Sequence, residues 1–143
     1  MKNNMEFYKN KKVLITGHTG FKGSWMCQLL IMAGADVTGY ALEPPTTPSL
    51  YHMCHLAEHM HSIIGDVRDL EHMLQIFETV QPEIVIHMAA QPLVRESYKN
   101  PVYTYETNVM GTVHVLECVR KTPSVKSFLN VTTDKVYLNK EWE

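Results

Sequence analysis

Val13-Leu14-Ile15-Thr16 runs without a break into Gly17-His18-Thr19-Gly20-Phe21-Lys22-Gly23, and no other stretch of the chain limits the fold so sharply. A short β-branched and aliphatic run is the pattern of a strand buried on both faces, as in a parallel sheet. Glycines where the run stops let the backbone turn sharply and approach a ligand with no Cβ in the way. The helical stretch that follows aims its free N–H groups and positive dipole end over the turn, which favours an anion there. In a strand–turn–helix of this kind the usual guest is a pyrophosphate.

The rest of the chain repeats the alternation. Strands are expected at Val13–Thr16, Val37–Leu42, Ser62–Ile64, Ile84–His87 and Ser127–Thr132. Trp25, Leu29, Met32 and Ala33 make one apolar helical face, ended by Gly34. Leu70, Met73, Leu74, Phe77 and Val80 make a second, with Asp69 placed to cap it. A third long helix starts near Pro101, a favoured first-turn residue, and runs through Val109, Val113 and Leu116 to about Lys121. Glu43–Leu50 carries Pro44, Pro45 and Pro48 and reads as a loop. Strand–helix–strand repetition implies an α/β fold: a Rossmann-type parallel sheet with helices on both faces and right-handed crossovers. The turns at Gly17, Asp66 and Ala89 then gather at the carboxyl edge, where such sheets bind ligands. The chain of 143 residues stops at Glu143, just after the fifth strand, so the sheet is expected to be incomplete at its C-terminal end.

Composition removes several classes of function. A formal charge of −2 provides no field to attract nucleic acid or an anionic membrane. No apolar run approaches the roughly 20 residues that cross a bilayer. The polar, lysine-rich start has no apolar signal-peptide core. Cys27, Cys54 and Cys118, odd in number and far apart, read as buried reduced thiols of a cytoplasmic protein.

Each turn has a functional and a plainer reading. Gly17, Gly20 and Gly23, with Thr19, Phe21 and Lys22 between them, form the candidate dinucleotide cradle; a structural βα turn without a ligand is the alternative. His18 and Lys22 are either solvated or, for Lys22, placed to neutralise a phosphate. Glu43 lies about 20 residues on, where an acid holds a ribose 2′-OH. No arginine stands beside it to suit a 2′-phosphate, which favours NAD over NADP; a solvated loop carboxylate is the plainer reading. Asp66 and Val67 end the third strand, where a carboxylate accepts from an adenine amino group and the next N–H binds a ring nitrogen. Asp69 is read as a helix cap. Ala89, Ala90 and Gln91 end the fourth strand and let the backbone pass close beneath a pyrophosphate or nicotinamide ribose, although close helix packing alone would also explain the alanines. Asn108, Gly111 and Thr112 are poor helix-interior choices. Gly111 is expected to permit close helix–sheet contact, and Asn108 to bond the neighbouring strand's backbone. Thr132, a candidate cofactor contact, leads Thr133, Asp134 and Lys135 out of the fifth strand with a hydroxyl, a carboxylate and an amine that suit hydride-transfer assistance and acid–base work; a solvated strand end is the plainer reading.

Two patterns are discounted. His52, Cys54, His55, His59 and His61 resemble a metal cluster but complete no recognised ligand pattern. Tyr8-x-x-x-Lys12 spells a catalytic pair but precedes the first strand.

Gly17–Gly23, Asp66-Val67, His87–Gln91, the Asn108-x-x-Gly111-Thr112 segment and Thr133 together resemble the extended short-chain dehydrogenase/reductase superfamily. Gly-His-Thr-Gly-Phe-Lys-Gly, Gly-Tyr-Ala-Leu-Glu-Pro-Pro, His-Met-Ala-Ala-Gln-Pro-Leu-Val-Arg and Thr-Asp-Lys resemble, within it, the CDP-glucose 4,6-dehydratase family, from Lys11 to Trp142. The resemblance implies a lyase that uses NAD on a nucleotide-sugar substrate, CDP-glucose. The sugar is oxidised at C4, water is lost across C5–C6, and hydride returns to C6. It implies that Thr133 bonds the C4 hydroxyl, Asp134 protonates the departing C6 hydroxyl and Lys135 removes the C5 proton. A lysine base must be neutral at working pH, so burial or a neighbouring cation must depress its pKa. The resemblance implies that the family's Tyr-x-x-x-Lys pair and sugar-nucleotide domain would lie beyond Glu143. Residues 1–143 are thus expected to be a partial NAD-binding domain, inactive alone and with apolar surface bared on the fifth strand. A non-catalytic NAD-binding fragment and a sugar-nucleotide epimerase or reductase are the alternatives. A homo-oligomer through the long helix near Asn108 is a further implication.

Overall fold

The computed structural model describes residues 4–133. After a short 3₁₀ turn at Asn4–Tyr8 the elements are β1 (Lys12–Thr16), α1 (Phe21–Met32), β2 (Asp36–Ala41), α2 (Leu50–Met53), β3 (His61–Ile64), α3 (Leu70–Val80), β4 (Ile84–His87), α4 (Val94–Lys99), α5 (Pro101–Tyr105), α6 (Gly111–Lys121) and β5 (Ser127–Asn130). The five strands form one parallel sheet in the order β3-β2-β1-β4-β5. The chain therefore winds outward from β1 to β3, crosses back, and winds outward again through β4 and β5. The gap between β1 and β4 is where the direction of winding reverses, and ligands of open α/β sheets sit there.

β1 is the centre of the molecule, with Val13, Leu14 and Ile15 fully buried. Alternate residues face opposite sides of the sheet. Val13, Ile15, Val37, Ile84 and Ile86 pack with Cys27 and Leu30 of α1, Tyr51 of α2, and Leu56. Leu14, Tyr40 and Val85 pack on the other side with Met73 and Phe77 of α3 and with Val115 and Cys118 of α6. Helices thus cover both faces, and each large side chain removed from water contributes about 1.5–3 kcal/mol. Burial pushes the thiol of Cys27 up to about 12 and that of Cys118 up to about 11, so neither is a thiolate at neutral pH. Cys54 is only half-buried, unlike the expectation for all three.

The structure corrects the sequence reading at α1. Its inward residues are Gly23, Ser24, Cys27 and Leu30, whereas Trp25, Leu29 and Met32 are about half or more exposed. Only Ala33, the C-cap, is buried from the expected face. The helix is apolar nearly all round, so periodicity could not choose a face. The glycine turn chooses it: Gly23 lies against the Gly17 carbonyl, where a Cβ would come within 2.1 Å of the oxygen. That contact turns the 23/27/30 stripe onto the sheet.

Smaller differences lie at strand ends. β2 is Asp36–Ala41 rather than Val37–Leu42, β3 starts at His61, and β5 ends at Asn130 rather than Thr132. The helix from Pro101 to Lys121 is interrupted by a π turn over Glu106–Met110. The short α4 was not expected. Asp69 caps α3 as expected, accepting from the His72 N–H at 3.0 Å. On β5, Leu129 is half exposed, and Val131 just beyond it nearly so. No helix among the described residues is long and apolar enough to cross a membrane.

Candidate functional site

At the end of β1, Gly17 takes φ +79° and donates its N–H to the Tyr40 carbonyl at 3.0 Å. A Cβ on Gly17 would lie 2.8 Å from the Ala89 nitrogen. The main chains of the β1 and β4 turns therefore touch at Gly17. Gly20 is the N-cap of α1, and no side chain caps that end. The first-turn amides of a helix have no partner within it, so those of α1 are available to an acceptor above the turn.

His18 and Thr19, between the first two glycines, point down, not out. His18 is fully buried, which overturns the reading that it is solvated. Its Nε2 lies 2.7 Å from Ser62 Oγ, and the Tyr51 hydroxyl donates to the same oxygen at 2.7 Å. Burial lowers its pKa to about 4, with a backbone interaction at Tyr40 offsetting part of the effect. Gly39 makes room for the ring: a Cβ there would fall 2.3 Å from it. Thr19 Oγ1 donates to the Leu42 carbonyl at 2.8 Å. The Thr19 side chain thus ties the cradle to the end of β2, next to Glu43, and its contribution toward a ligand is its main chain. Phe21, Lys22 and Glu43 are exposed.

At the end of β3, Asp66 is gripped by Arg68. The Arg68 N–H donates to Oδ1 at 2.9 Å, and Nε and Nη2 donate to Oδ2 at 3.0 and 2.7 Å. Burial alone would raise the Asp66 pKa, but the Arg68 hydrogen bonds and charge outweigh it and hold the carboxyl below its usual range. Arg68 also donates to Glu106 at 3.1 Å and lies over the Tyr103 ring at 4.8 Å. The Val67 side chain is buried, and a Cβ on Gly111 would come 2.7 Å from it, so the close contact expected of Gly111 is with Val67.

The β4 turn is held by polar groups. Thr16 Oγ1 lies 2.6 Å from His87 Nδ1 and accepts from the Met88 and Ala89 N–H groups at 3.1 and 3.2 Å. His87 Nε2 lies 3.0 Å from Thr112 Oγ1, which donates to the Asn108 carbonyl at 2.8 Å. The Gln91 N–H donates to Asn108 Oδ1 at 2.7 Å, and Asn108 Nδ2 donates to the Gln91 carbonyl at 3.0 Å. Asn108 sits in the π turn, the kind of helix irregularity that often marks a functional site. Its expected backbone bond is present, but the partner is Gln91, just past β4. The sequence reading gave no role to Thr16, His87 or Arg68. A histidine closing an otherwise apolar strand was the available signal for His87.

Thr132 and Thr133 are exposed beyond β5, and the Val131 N–H donates to the His87 carbonyl at 2.9 Å, so this segment follows the same edge. Asp134 and Lys135 lie outside the described residues. Among the described residues no group of three or more His, Cys, Asp or Glu is placed to hold a metal ion. His55 pairs with Glu58 and His61 with Asp36. Tyr8 and Lys12 lie at the start of β1, at the amino edge.

The shape admits a dinucleotide. Main chain without Cβ at Gly17 and Gly23, an uncapped helix end and the Asp66 carboxylate just past β3 suit a diphosphate flanked by an adenosine. The chain is 54% identical over 136 residues to CDP-glucose 4,6-dehydratase of Salmonella typhimurium, covering 95% of this chain and 38% of that protein. It thus spans about two fifths of that relative's length. Its fold matches a UDP-glucose-4-epimerase from Stenotrophomonas maltophila solved with bound NAD, at TM-score 0.80 and 24% identity over 93% of this chain and 40% of that one. It also matches the UDP-glucose 4-epimerase from Brucella ovis in complex with NAD, at TM-score 0.69 and 28% identity over 82% of this chain and 35% of the other. The family model described as GDP-mannose 4,6 dehydratase matches residues 14–140, and the chain belongs to that family.

Proposed function

We infer that this chain is the coenzyme-binding part of a sugar-nucleotide 4,6-dehydratase that acts on CDP-glucose with NAD as its resident coenzyme. The observation that carries this is the paired-turn cradle, in which Gly17 meets Ala89 and Gly23 meets Gly17 at distances that no side chain permits. The 54% identity to a CDP-glucose 4,6-dehydratase supports the choice of sugar nucleotide.

In this reading the amides at the start of α1 and the main chain of Gly17–Gly23 bind the diphosphate. Asp66 and the Val67 N–H bind the adenine, and Glu43 binds the adenosine ribose. Ala89, Ala90 and Gln91, with Asn108 behind them, form the floor under the nicotinamide half. NAD, when bound, supplies the hydride acceptor and donor for the sugar. Thr133 orients the C4 hydroxyl, Asp134 gives a proton to the departing C6 hydroxyl, and Lys135 takes the proton from C5. Tyr8-x-x-x-Lys12 is at the wrong edge to serve as the Tyr-x-x-x-Lys pair of the superfamily. Binding without turnover is therefore proposed for residues 1–143 alone, in the cytoplasm. The exposed stripe of Val109, Val113 and Leu116 is the surface through which two copies would pair.

Calorimetric titration of the chain with NAD⁺, NADP⁺ and CDP-glucose tests this. The expected result is binding of NAD⁺ more tightly than NADP⁺, with no heat from CDP-glucose. No binding of either coenzyme, or conversion of CDP-glucose by the chain, would contradict it. In the full-length protein, Lys135→Met should keep NAD bound and abolish elimination, whereas an epimerase would lose nothing by the same change.

A further inference from the structure

We propose that His87 is a positioning residue, locked in a single tautomer, which closes a hydrogen-bond circuit that holds both ends of the Met88–Gln91 turn. The inference rests on the coenzyme reading above for its consequence, but its geometry stands without it.

The circuit can be followed one proton at a time. A threonine hydroxyl has one proton and two acceptor positions. Thr16 Oγ1 accepts from the Ala89 N–H at 3.2 Å and shares the Met88 N–H with its own backbone carbonyl. With those two donors on its acceptor side, its proton is directed to His87 Nδ1, 2.6 Å away, which makes that nitrogen an acceptor. A neutral imidazole with an acceptor at Nδ1 carries its proton on Nε2. The far side requires the same form. Thr112 spends its proton on the Asn108 carbonyl, so toward His87 Nε2 it can only accept. The Thr112 contact therefore selects the Nε2–H tautomer, and the Thr16 contact agrees with it.

Beyond Thr112 the circuit returns to the turn. Asn108, whose carbonyl takes the Thr112 proton, uses its side-chain amide to grip both the N–H and the carbonyl of Gln91. The chain of bonds starts at the amides of Met88 and Ala89 and ends at the backbone of Gln91. Its members come from β1, β4 and the helix segment spanning the π turn and α6. His87, 2% exposed, is the link between the two sheet strands and that helix. Inside the protein an imidazolium would aim a further N–H at the Thr16 hydroxyl, which already faces two backbone N–H groups. Burial, which lowers the His87 pKa to about 4, keeps that form away at neutral pH. The role is to fix the height of the turn that carries the nicotinamide half, while the adenine half is held separately at Asp66.

Nitrogen-15 NMR of the wild-type chain at pH 7 should show His87 neutral with its proton on Nε2. Thr112→Val, which removes one hydroxyl at constant shape, should speed amide exchange at Met88, Ala89 and Gln91 relative to Leu14 in β1. It should weaken NAD⁺ about tenfold and leave AMP, which reads the adenine half, within about twofold. His87→Phe should do the same more strongly. If that variant does not fold, the tautomer and Thr112→Val still decide the question. A proton on Nδ1, exchange that rises uniformly across the sheet, or equal weakening of NAD⁺ and AMP would overturn the proposal. A wild-type chain that shows the tautomer and the exchange pattern but binds neither ligand would instead contradict the coenzyme reading and leave the circuit standing.

Discussion

The two turns that meet at the β1–β4 gap are built by opposite means. The Gly17–Gly23 turn is defined by what is missing: Gly17 and Gly23 have no side chain, and neighbouring backbone fills the space a Cβ would need. The Met88–Gln91 turn is defined by what is present: two hydroxyls, an imidazole and an amide hold it from below. The first is steric, with Gly17 against Ala89 and Gly23 against Gly17. The second is polar, running from Thr16 through His87 and Thr112 to Asn108. One turn should therefore fail all at once on substitution, and the other should loosen by degrees.

Gly23→Ala gives the largest expected effect. Its Cβ meets the Gly17 carbonyl at 2.1 Å, with backbone on both sides and nowhere to yield. Thermal unfolding should show a loss of about 2–4 kcal/mol, and NAD⁺ binding should disappear. A variant that still binds NAD⁺ would show the steric turn to be as tolerant as its polar neighbour.

Acid loads both turns, through His18 in the first and His87 in the second. His18 and His87 have pKa values lowered from 6.5 to about 4 in the folded chain. Between those values the unfolded chain binds more protons, so stability is full above about pH 6.5 and falls as the pH drops toward 4. From pH 7 to 5 each histidine should cost about 2 kcal/mol, measured by denaturant unfolding. A ring seen by NMR to titrate near 6.5 would contradict its burial.

Thr19→Val removes the bond to the Leu42 carbonyl and should cost about 1 kcal/mol. If that tie sets Glu43, the preference for NAD⁺ over NADP⁺ should shrink, and Thr19→Ser should restore it. Asp69→Ala is the smallest change. It removes the α3 cap for about 0.5–1 kcal/mol, and coenzyme affinity should stay the same because Asp69 belongs to neither turn.

The same contrast explains what the sequence revealed. Every strand was found within two residues of its ends, because buried parallel strands are short apolar runs between turn residues. The glycine spacing disclosed the first turn, since a missing Cβ is visible residue by residue. The α1 face was misread because its apolar residues surround the helix, and its rotation is set by one contact between Gly23 and Gly17. Asn108 and Gly111 were recognisable as misfits in a helix, though not their partners Gln91 and Val67. The His87 circuit and the Arg68 grip on Asp66 join distant segments or depend on rotamers, and no local pattern encodes either.

An amide NMR titration of the chain with NAD⁺ tests the central claim most directly, since it reads both turns at once. The account predicts that the amides of Gly17–Gly23 and of Ala89–Gln91 shift together, with Val67, along one saturable curve, while the amino-edge residues around Lys12 stay still. Saturation without movement at the glycine turn, or shifts confined to another edge of the sheet, would contradict it.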